Sequence, residues 1–130
     1  MNLFFSVAVT ACVISDSSSS PLQFGNIITQ VGINNIESFK STGKFTCETP
    51  GLYFVSANLW ADCNSCGFYL RKNGVIISYG ATTYFRSGDG VSGSGINAVV
   101  EAQKNDQFYF DPNGSSIRKT WSCITIMKMK

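Results

Sequence analysis

The segment at residues 42–54 constrains the fold of this chain more than any other; it reads TGKFTCETPGLYF. Phe45 and Cys47 fall on one face of a first strand, because successive side chains of a strand point to opposite faces. Pro50-Gly51 is a turn signal, since proline presets φ and glycine permits the backbone that follows. The segment therefore predicts two β-strands joined by a tight turn, the second with the apolar face of Tyr53 and Val55.

Short strands separated by turn signals continue along the chain. Strands are predicted at residues 43–48, 52–61, 68–71, 75–79 and 120–129, with alternating apolar side chains over residues 96–110. Asn73-Gly74 is the strongest short hairpin signal. Residues 22–41 predict short irregular strands, residues 87–95 predict a glycine-serine loop, and no long amphipathic helix is evident. Such a pattern is typical of a β-sandwich or a jelly roll.

The first residues permit two interpretations. Residues 3–14 are apolar enough for a signal-peptide core, yet no Lys or Arg precedes them. Apolar side chains alternate with small or polar ones from Phe5 to Val13, which is the period of a strand. We favour a strand in a mature domain from which any secretion signal is already absent. The segment is too short to span a bilayer, so no membrane insertion is expected.

Six segments closely resemble the C1q domain family, in the order in which that family carries them. They are FSVAV at 5–9, PLQF at 21–24 with NII at 26–28 after it, TGKFTCETPGLYF at 42–54, FYLRKNG at 68–74, the late strand pair at 94–106 and TWSC at 120–123. Lys104-Asn105-Asp106 departs from the usual Gly-Asp turn, Trp121 replaces a phenylalanine and Cys123 replaces a glycine. The turn is expected to survive, because asparagine tolerates the left-handed conformation.

The resemblance implies an all-β fold, the ten-stranded antiparallel jelly-roll sandwich of the C1q/TNF type. It also implies that residues 1–130 form a single C1q-like domain that assembles as a homotrimer. Tyr53 and Trp121 are then expected to lie buried between the sheets. Only 14% of the residues are charged, against about 25% in an average soluble protein. Low charge fits a surface that is partly hidden in subunit contacts.

Composition argues against several functions. The chain has no histidine, which removes the usual general base and histidine-rich zinc sites. The eight acidic residues form no recognisable acid/base pair, so we predict that the protein is not an enzyme. The net charge of +2 is small and its Lys and Arg residues are dispersed, so no nucleic acid partner is expected.

The five cysteines are all disulfide candidates: Cys12, Cys47, Cys63, Cys66 and Cys123. An odd number suggests a bridge between chains or a buried free thiol. In the family fold the strands of Cys12, Cys47 and Cys123 are expected in one sheet, where two of them could bond. The default for Cys47 is a buried free cysteine. Cys63 and Cys66 have redox or zinc spacing but lack the βαβ context or further ligands, so a loop disulfide or bridges to a second subunit are preferred.

The family resemblance implies a secreted, extracellular recognition module, and polar and aromatic loop residues then become candidate ligand contacts. These are Tyr79, Tyr84, Arg86, Asp89, Asn113, Ser115 and Arg118. Sugars bind to an aromatic face surrounded by fixed hydrogen-bonding groups, although polar loop residues are often merely solvated. Asn113-Gly114-Ser115 is also an N-glycosylation acceptor.

Two functions remain open at the level of sequence. The first is a soluble lectin that binds glycans, with N-acetylated sugars or sialic acid favoured, and gains avidity by trimerisation. The second is a protein-binding ligand or matrix component. No cofactor is predicted, with calcium as the open alternative because some family trimers hold it. The sequence shows no clustered Asp/Asn/Glu loop, so no metal ligands are assigned.

Overall fold

The computed structural model describes residues 6–62, 67–82, 92–119 and 121–130, in which nine strands and one short helix are found. Their bounds are β1 Ala8–Cys12, β2 Asn26–Val31, α1 Ile36–Thr42, β3 Phe45–Thr46, β4 Gly51–Ala61, β5 Gly67–Lys72, β6 Val75–Ala81, β7 Ser92–Ala102, β8 Gln107–Asp111 and β9 Cys123–Lys128. No helix of these residues is long and apolar enough to cross a membrane.

The strands form two antiparallel sheets. The five-stranded sheet has the order β2-β1-β9-β4-β7, and the four-stranded sheet has the order β3-β8-β5-β6. Apolar residues of both sheets form one buried cluster between them, as alternating strands require. The predicted all-β jelly-roll sandwich is thereby confirmed.

The predicted strand faces are also confirmed. On β4 the buried side chains are Tyr53, Val55, Ala57 and Leu59, at every second position. The alternation on β7 and β8 likewise buries Ile96, Val100, Ala102, Phe108 and Phe110. β7 begins at Ser92, so residues 92–95 belong to this strand rather than to the predicted glycine-serine loop.

Helix α1 replaces part of the irregular region predicted at residues 22–41. Its one buried residue, Phe39, packs against Phe24 and Phe45, with ring centroids 6.5 Å away in both pairs. The helix ends at Gly43, whose φ of 78° lies in the left-handed region. A segment of seven residues with isolated apolar positions is too short for its sequence pattern to distinguish a helix from a strand.

The two asparagine turns form as predicted. Asn73 and Gly74 have φ values of 51° and 86° and join β5 to β6 in a two-residue hairpin. Asn105 has a φ of 76°, the left-handed conformation that a glycine would otherwise supply.

The expected burial of Trp121 is wrong. Its side chain is 72% exposed and its φ is 64°, because the closing strand begins at Cys123 rather than at residue 120. The inward positions of that region are Ser122, Ile124 and Ile126. Trp121 therefore has the parity of the outward residues.

The cysteines separate into different environments. Cys12 and Cys123 are directly opposite on β1 and β9 and form a disulfide. Cys47 is buried and free, as expected, but it follows β3 in the other sheet, where its amide donates to Asp106. The expectation that all three share one sheet is thus wrong for Cys47. Cys63 and Cys66 lie outside the described residues.

Candidate functional site

Two tyrosines, one half-buried and one exposed, lie side by side on the outer face of the four-stranded sheet. Tyr69 of β5 is paired in register with Tyr79 of β6, whose side chain is 75% exposed. The Asn113 amide Nδ2 donates to the Tyr69 hydroxyl over 3.4 Å. The hairpin at Asn73-Gly74 sets the register, so local turn chemistry brings the two rings together.

An ion pair between Arg71 and Asp111 lies beside the Tyr69 ring. Arg71 Nε donates to Asp111 Oδ2 at 3.0 Å, and the guanidinium carbon lies 5.5 Å from the Tyr69 ring centroid. The second carboxylate oxygen accepts the Asn113 backbone amide at 2.9 Å. Burial opposes ionisation of Asp111, but the hydrogen bonds from Asn113, Arg71 and Ser20 outweigh it and lower its pKa.

We call this group the tyrosine surface, and its members are Tyr69, Arg71, Tyr79, Asp111 and Asn113. It presents two aromatic rings beside an amide and a guanidinium held in place by a carboxylate. Such a surface can stack on C–H groups and hydrogen-bond to hydroxyls. Sequence reasoning missed Tyr69, Arg71 and Asp111, although Tyr69 and Arg71 alternate with the apolar Phe68 and Leu70 and so had to face outward.

The remaining sequence candidates lie elsewhere or outside the described residues. Arg118 is held in a separate ion cluster, with Nη1 2.9 Å from Asp62 and Nε 3.6 Å from Asp16. Ser115 closes the turn after β8, where its amide donates to Pro112. Tyr84, Arg86 and Asp89 lie outside the described residues. Among the described side chains no group of three or more His, Cys, Asp or Glu could hold a metal ion.

A second pair of aromatic rings lies on the outer face of the five-stranded sheet. Trp60 of β4 and Trp121, just before β9, are 5.8 Å apart at their ring centroids, with an interplanar angle of 66°. The sequence analysis expected Trp121 between the sheets and assigned no role to Trp60. The signal available for Trp60 was its parity, because it alternates with the buried Leu59 and Ala61.

The opposite end of the same sheet face is apolar. Cross-strand registers align a row of side chains that consists of Val31, Ala8, Met127, Phe54 and Val99. The neighbouring edge strand β6 adds three exposed aliphatic residues, Val75, Ile76 and Ile77. We call these the apolar row and the apolar edge. Soluble monomers seldom expose contiguous apolar surface of this kind, which is typical of protein contacts.

Comparison with known proteins agrees with this architecture. The human protein named "Complement C1q and tumor necrosis factor-related protein 9B" is 28% identical over 111 residues, which cover 85% of this chain and 31% of that protein. The mouse "Complement C1q and tumor necrosis factor-related protein 9" matches with the same identity and coverage. The chain thus spans about a third of the length of these curated relatives.

Solved structures of two proteins superpose on this fold. The globular domain of zebrafish complement 1qA superposes with a TM-score of 0.66 at 19% identity, covering 95% of this chain and 94% of that one. Murine APRIL at pH 5.0 superposes with a TM-score of 0.75 at 8% identity, covering 95% and 99%. At such low sequence identities, the superpositions establish the fold alone. The family model of the C1q domain, however, matches residues 4–124, and the chain therefore belongs to the C1q domain family.

Proposed function

We propose that the protein is a secreted lectin that binds glycans without catalysis and gains strength by assembling as a homotrimer. The observation that carries this proposal is the tyrosine surface, where Tyr79 is largely exposed beside Tyr69 and Asn113. A large ring left in water on a strand has no packing role in the chain, so it is available for a ligand.

The ligand chemistry follows from the groups on this surface. The tyrosine rings suit the C–H face of a pyranose, and the Asn113 amide suits its hydroxyl or acetamido groups. Arg71 could meet an acidic sugar, although its guanidinium is already bound to Asp111. N-acetylated sugars and sialic acid therefore stay the favoured ligands at this surface. An N-linked glycan on Asn113 would cover it, so unglycosylated protein is the appropriate material for binding tests.

Assembly is supported by the apolar row and the apolar edge. The two patches are different surfaces of one chain, so a contact of the row with the edge of a second copy is heterologous. Heterologous contacts close into rings when the rotation between copies allows it, and a trimer is such a ring. The three identical tyrosine surfaces would then convert weak single sites into multivalent binding.

Placing a charge in the apolar row should dissociate this assembly. We expect wild-type protein to sediment as a trimer at micromolar concentration and Val99→Arg to sediment as a monomer, because Val99 is 58% exposed and a buried unpaired guanidinium is costly. Val99→Arg should keep the far-UV circular dichroism spectrum of a β-protein and a cooperative melting transition, which distinguishes dissociation from unfolding. Ile14→Arg, at an exposed apolar residue outside both patches, is the matched control and should remain trimeric. A monomeric wild type would refute the trimer, and a ladder on a non-reducing gel would reveal additional disulfide links between chains.

Substitutions on the tyrosine surface should weaken glycan binding without unfolding the protein. Monosaccharide affinity is expected near the millimolar range, about −4 kcal/mol, with stronger binding to multivalent surfaces. Tyr79→Ala and Asn113→Ala should lower glycan-array and agglutination signals about tenfold or more, and a surface change of this kind should shift stability by only about 0.5 kcal/mol. Ile14→Ala provides the control. Unchanged binding by both variants would remove the tyrosine surface as the site.

The alternative function, a protein-binding ligand, is favoured by one feature of the same surface. Tyrosine and arginine are enriched at the energetic centres of protein interfaces, and this surface combines Tyr69, Arg71 and Tyr79. The curated relatives also carry tumour necrosis factor in their names. A broad glycan array and microbial surfaces, each tested with and without calcium, discriminate the two functions. Absence of any signal from the wild-type trimer would replace the lectin by the protein-binding ligand.

A further inference from the structure

The Trp60–Trp121 pair forms the corner of an open groove at one end of the five-stranded sheet. The groove has a volume of about 450 Å³ and is lined by Asn58, Trp60, Gly93, Ser94, Gly95 and Trp121. The two indole planes meet at 66°, so they form two aromatic walls rather than one stacked surface. The floor is strand backbone, because β7 places Gly93 directly opposite Trp60 and Gly95 opposite Asn58.

Trp60 is held in place by the fold. The Trp60 amide donates to Ser122 Oγ at 3.0 Å, and its carbonyl accepts the Arg118 amide at 2.7 Å. The Trp60 ring rests on Gly93, where an added Cβ would lie only 2.8 Å from the indole. Glycine at position 93 therefore makes room for the ring in its observed position.

Trp121 is presented to solvent at a conformational cost. A bulky side chain at a φ of 64° is disfavoured, because its Cβ crowds the neighbouring carbonyl oxygen. Trp121 remains 72% exposed, so this backbone conformation gives the chain little buried area in return. Strained backbone that exposes a large ring is typical of a site that meets a ligand.

The lining of the groove carries no charge. All six residues around it are neutral, and Arg118, whose backbone amide donates to the Trp60 carbonyl, has its guanidinium bound to Asp62 and Asp16. A carboxylate or ammonium placed in this groove would lose hydration without gaining a partner among these residues. The electrostatics therefore favour an uncharged ligand with both C–H faces and hydroxyl groups.

The groove is also separate from the surfaces already assigned. Trp60 lies six positions along β4 from Phe54 in the apolar row, which is about 20 Å at the rise of a strand. A polar row of Thr10, Thr125, Ser56 and Asn97 lies between them. The tyrosine surface belongs to the other sheet. Contact through the apolar row thus need not cover the tryptophans.

We propose that Trp60 and Trp121 form a second sugar-binding subsite, which takes an uncharged pyranose. One indole stacks on the C–H face of the sugar ring, while the other packs against the edge of that ring. Asn58 and Ser94 hydrogen-bond to hydroxyl groups at the floor. The inference extends the proposed lectin function, but it rests on different residues and on the opposite sheet. The inference also predicts different ligands for the two surfaces, because uncharged sugars suit this groove and sialic acid does not.

Tryptophan fluorescence provides a selective test, because the chain has only two tryptophans and both line the groove. Unglycosylated trimer is titrated with the methyl glycosides of mannose, galactose and N-acetylglucosamine, and separately with sialic acid. At least one uncharged sugar should give a saturable spectral shift with a Kd of about 1–10 mM, and sialic acid should bind at least about tenfold more weakly. No shift with any uncharged sugar, or equal binding of sialic acid, would overturn the proposal.

Two variants identify the corner as the source of the signal. Trp121→Asn keeps a residue that tolerates the left-handed backbone, leaves Trp60 as the reporter and should weaken binding about tenfold or more. Gly93→Ala should do the same by displacing Trp60, whereas Gly67→Ala is its control, since a Cβ there has its nearest neighbour at 3.9 Å. Tyr79→Ala should leave the shift intact.

The failure of this inference differs from the failure of the proposed function. If glycan-array signals depend on Tyr79 while the tryptophan spectrum never responds, the lectin stands and the second subsite falls. If Trp121→Asn turns the trimer into a monomer in sedimentation, the corner is a contact between copies and the subsite is refuted. A saturable shift that persists in Tyr79→Ala and disappears in Trp121→Asn supports the subsite even if the tyrosine surface proves inactive.

Discussion

Tyr53→Ala is expected to lower the free energy of unfolding by about 3–5 kcal/mol, because it removes a fully buried aromatic ring from the centre of the sandwich. The ring contacts Phe45 and Phe108 edge-on, at centroid distances of 5.9 and 6.0 Å. Its hydroxyl donates to the Thr49 carbonyl over 2.6 Å. Burial, together with the hydrogen bond with Cys47, raises the pKa of Tyr53, so the phenol stays neutral.

Chemical denaturation of the variant and the wild type measures this effect. Tyr53→Phe is the matched control, since it keeps the ring, loses only the hydrogen bond and should cost about 1 kcal/mol. The ratio of the two losses separates ring packing from hydrogen bonding. A loss below about 1 kcal/mol for Tyr53→Ala, a value typical of surface residues, would contradict the burial of this side chain.

Removing the disulfide is expected to destabilise the protein by a comparable amount. Cys12 and Cys123 are 111 residues apart in sequence, so their bond closes almost the whole chain into one loop. Constraint of an unfolded loop of this size contributes about 4–5 kcal/mol in the chain-entropy model, and removal of native disulfides costs about 2–5 kcal/mol. The double variant Cys12→Ala/Cys123→Ala should therefore melt well below the wild type.

Thermal unfolding under non-reducing conditions checks this expectation. Repetition with a reductant is the control, because a reductant should lower the melting temperature of the wild type toward that of the double variant. Cys47 is buried and free, so it contributes equally to both proteins. Equal melting temperatures of the variant and the wild type without reductant would show that β1 and β9 are held by sheet pairing alone.

Much of the fold was predictable because its signals are local. The alternation on β4 predicts the buried face of Tyr53 and Val55, since successive side chains of a strand point to opposite faces however the sheets pack. Asn73-Gly74 predicts the β5–β6 hairpin, because few residues adopt two successive positive φ values. Helix α1 was missed, since its short segment carries one buried residue and is positioned by tertiary contacts of Phe39.

The candidate site was predictable only in part. Tyr79 and Asn113 were correctly located on the surface, but their neighbours Tyr69 and Asp111 come from strands that meet through sheet order. Arg118 was grouped with Asn113 because the two are close in sequence. The structure instead binds its guanidinium to Asp16 and Asp62, which are remote in the chain.

The sequence by itself determined the strand periodicity, the turn positions and hence the sandwich class, because backbone geometry and side-chain alternation act over a few residues. Tertiary structure decided which distant residues meet. It paired Cys12 with Cys123 and left Cys47 in the opposite sheet, and it turned Trp121 outward beside Trp60. These outcomes depend on strand order and on a single residue of positive φ, which no local pattern encodes.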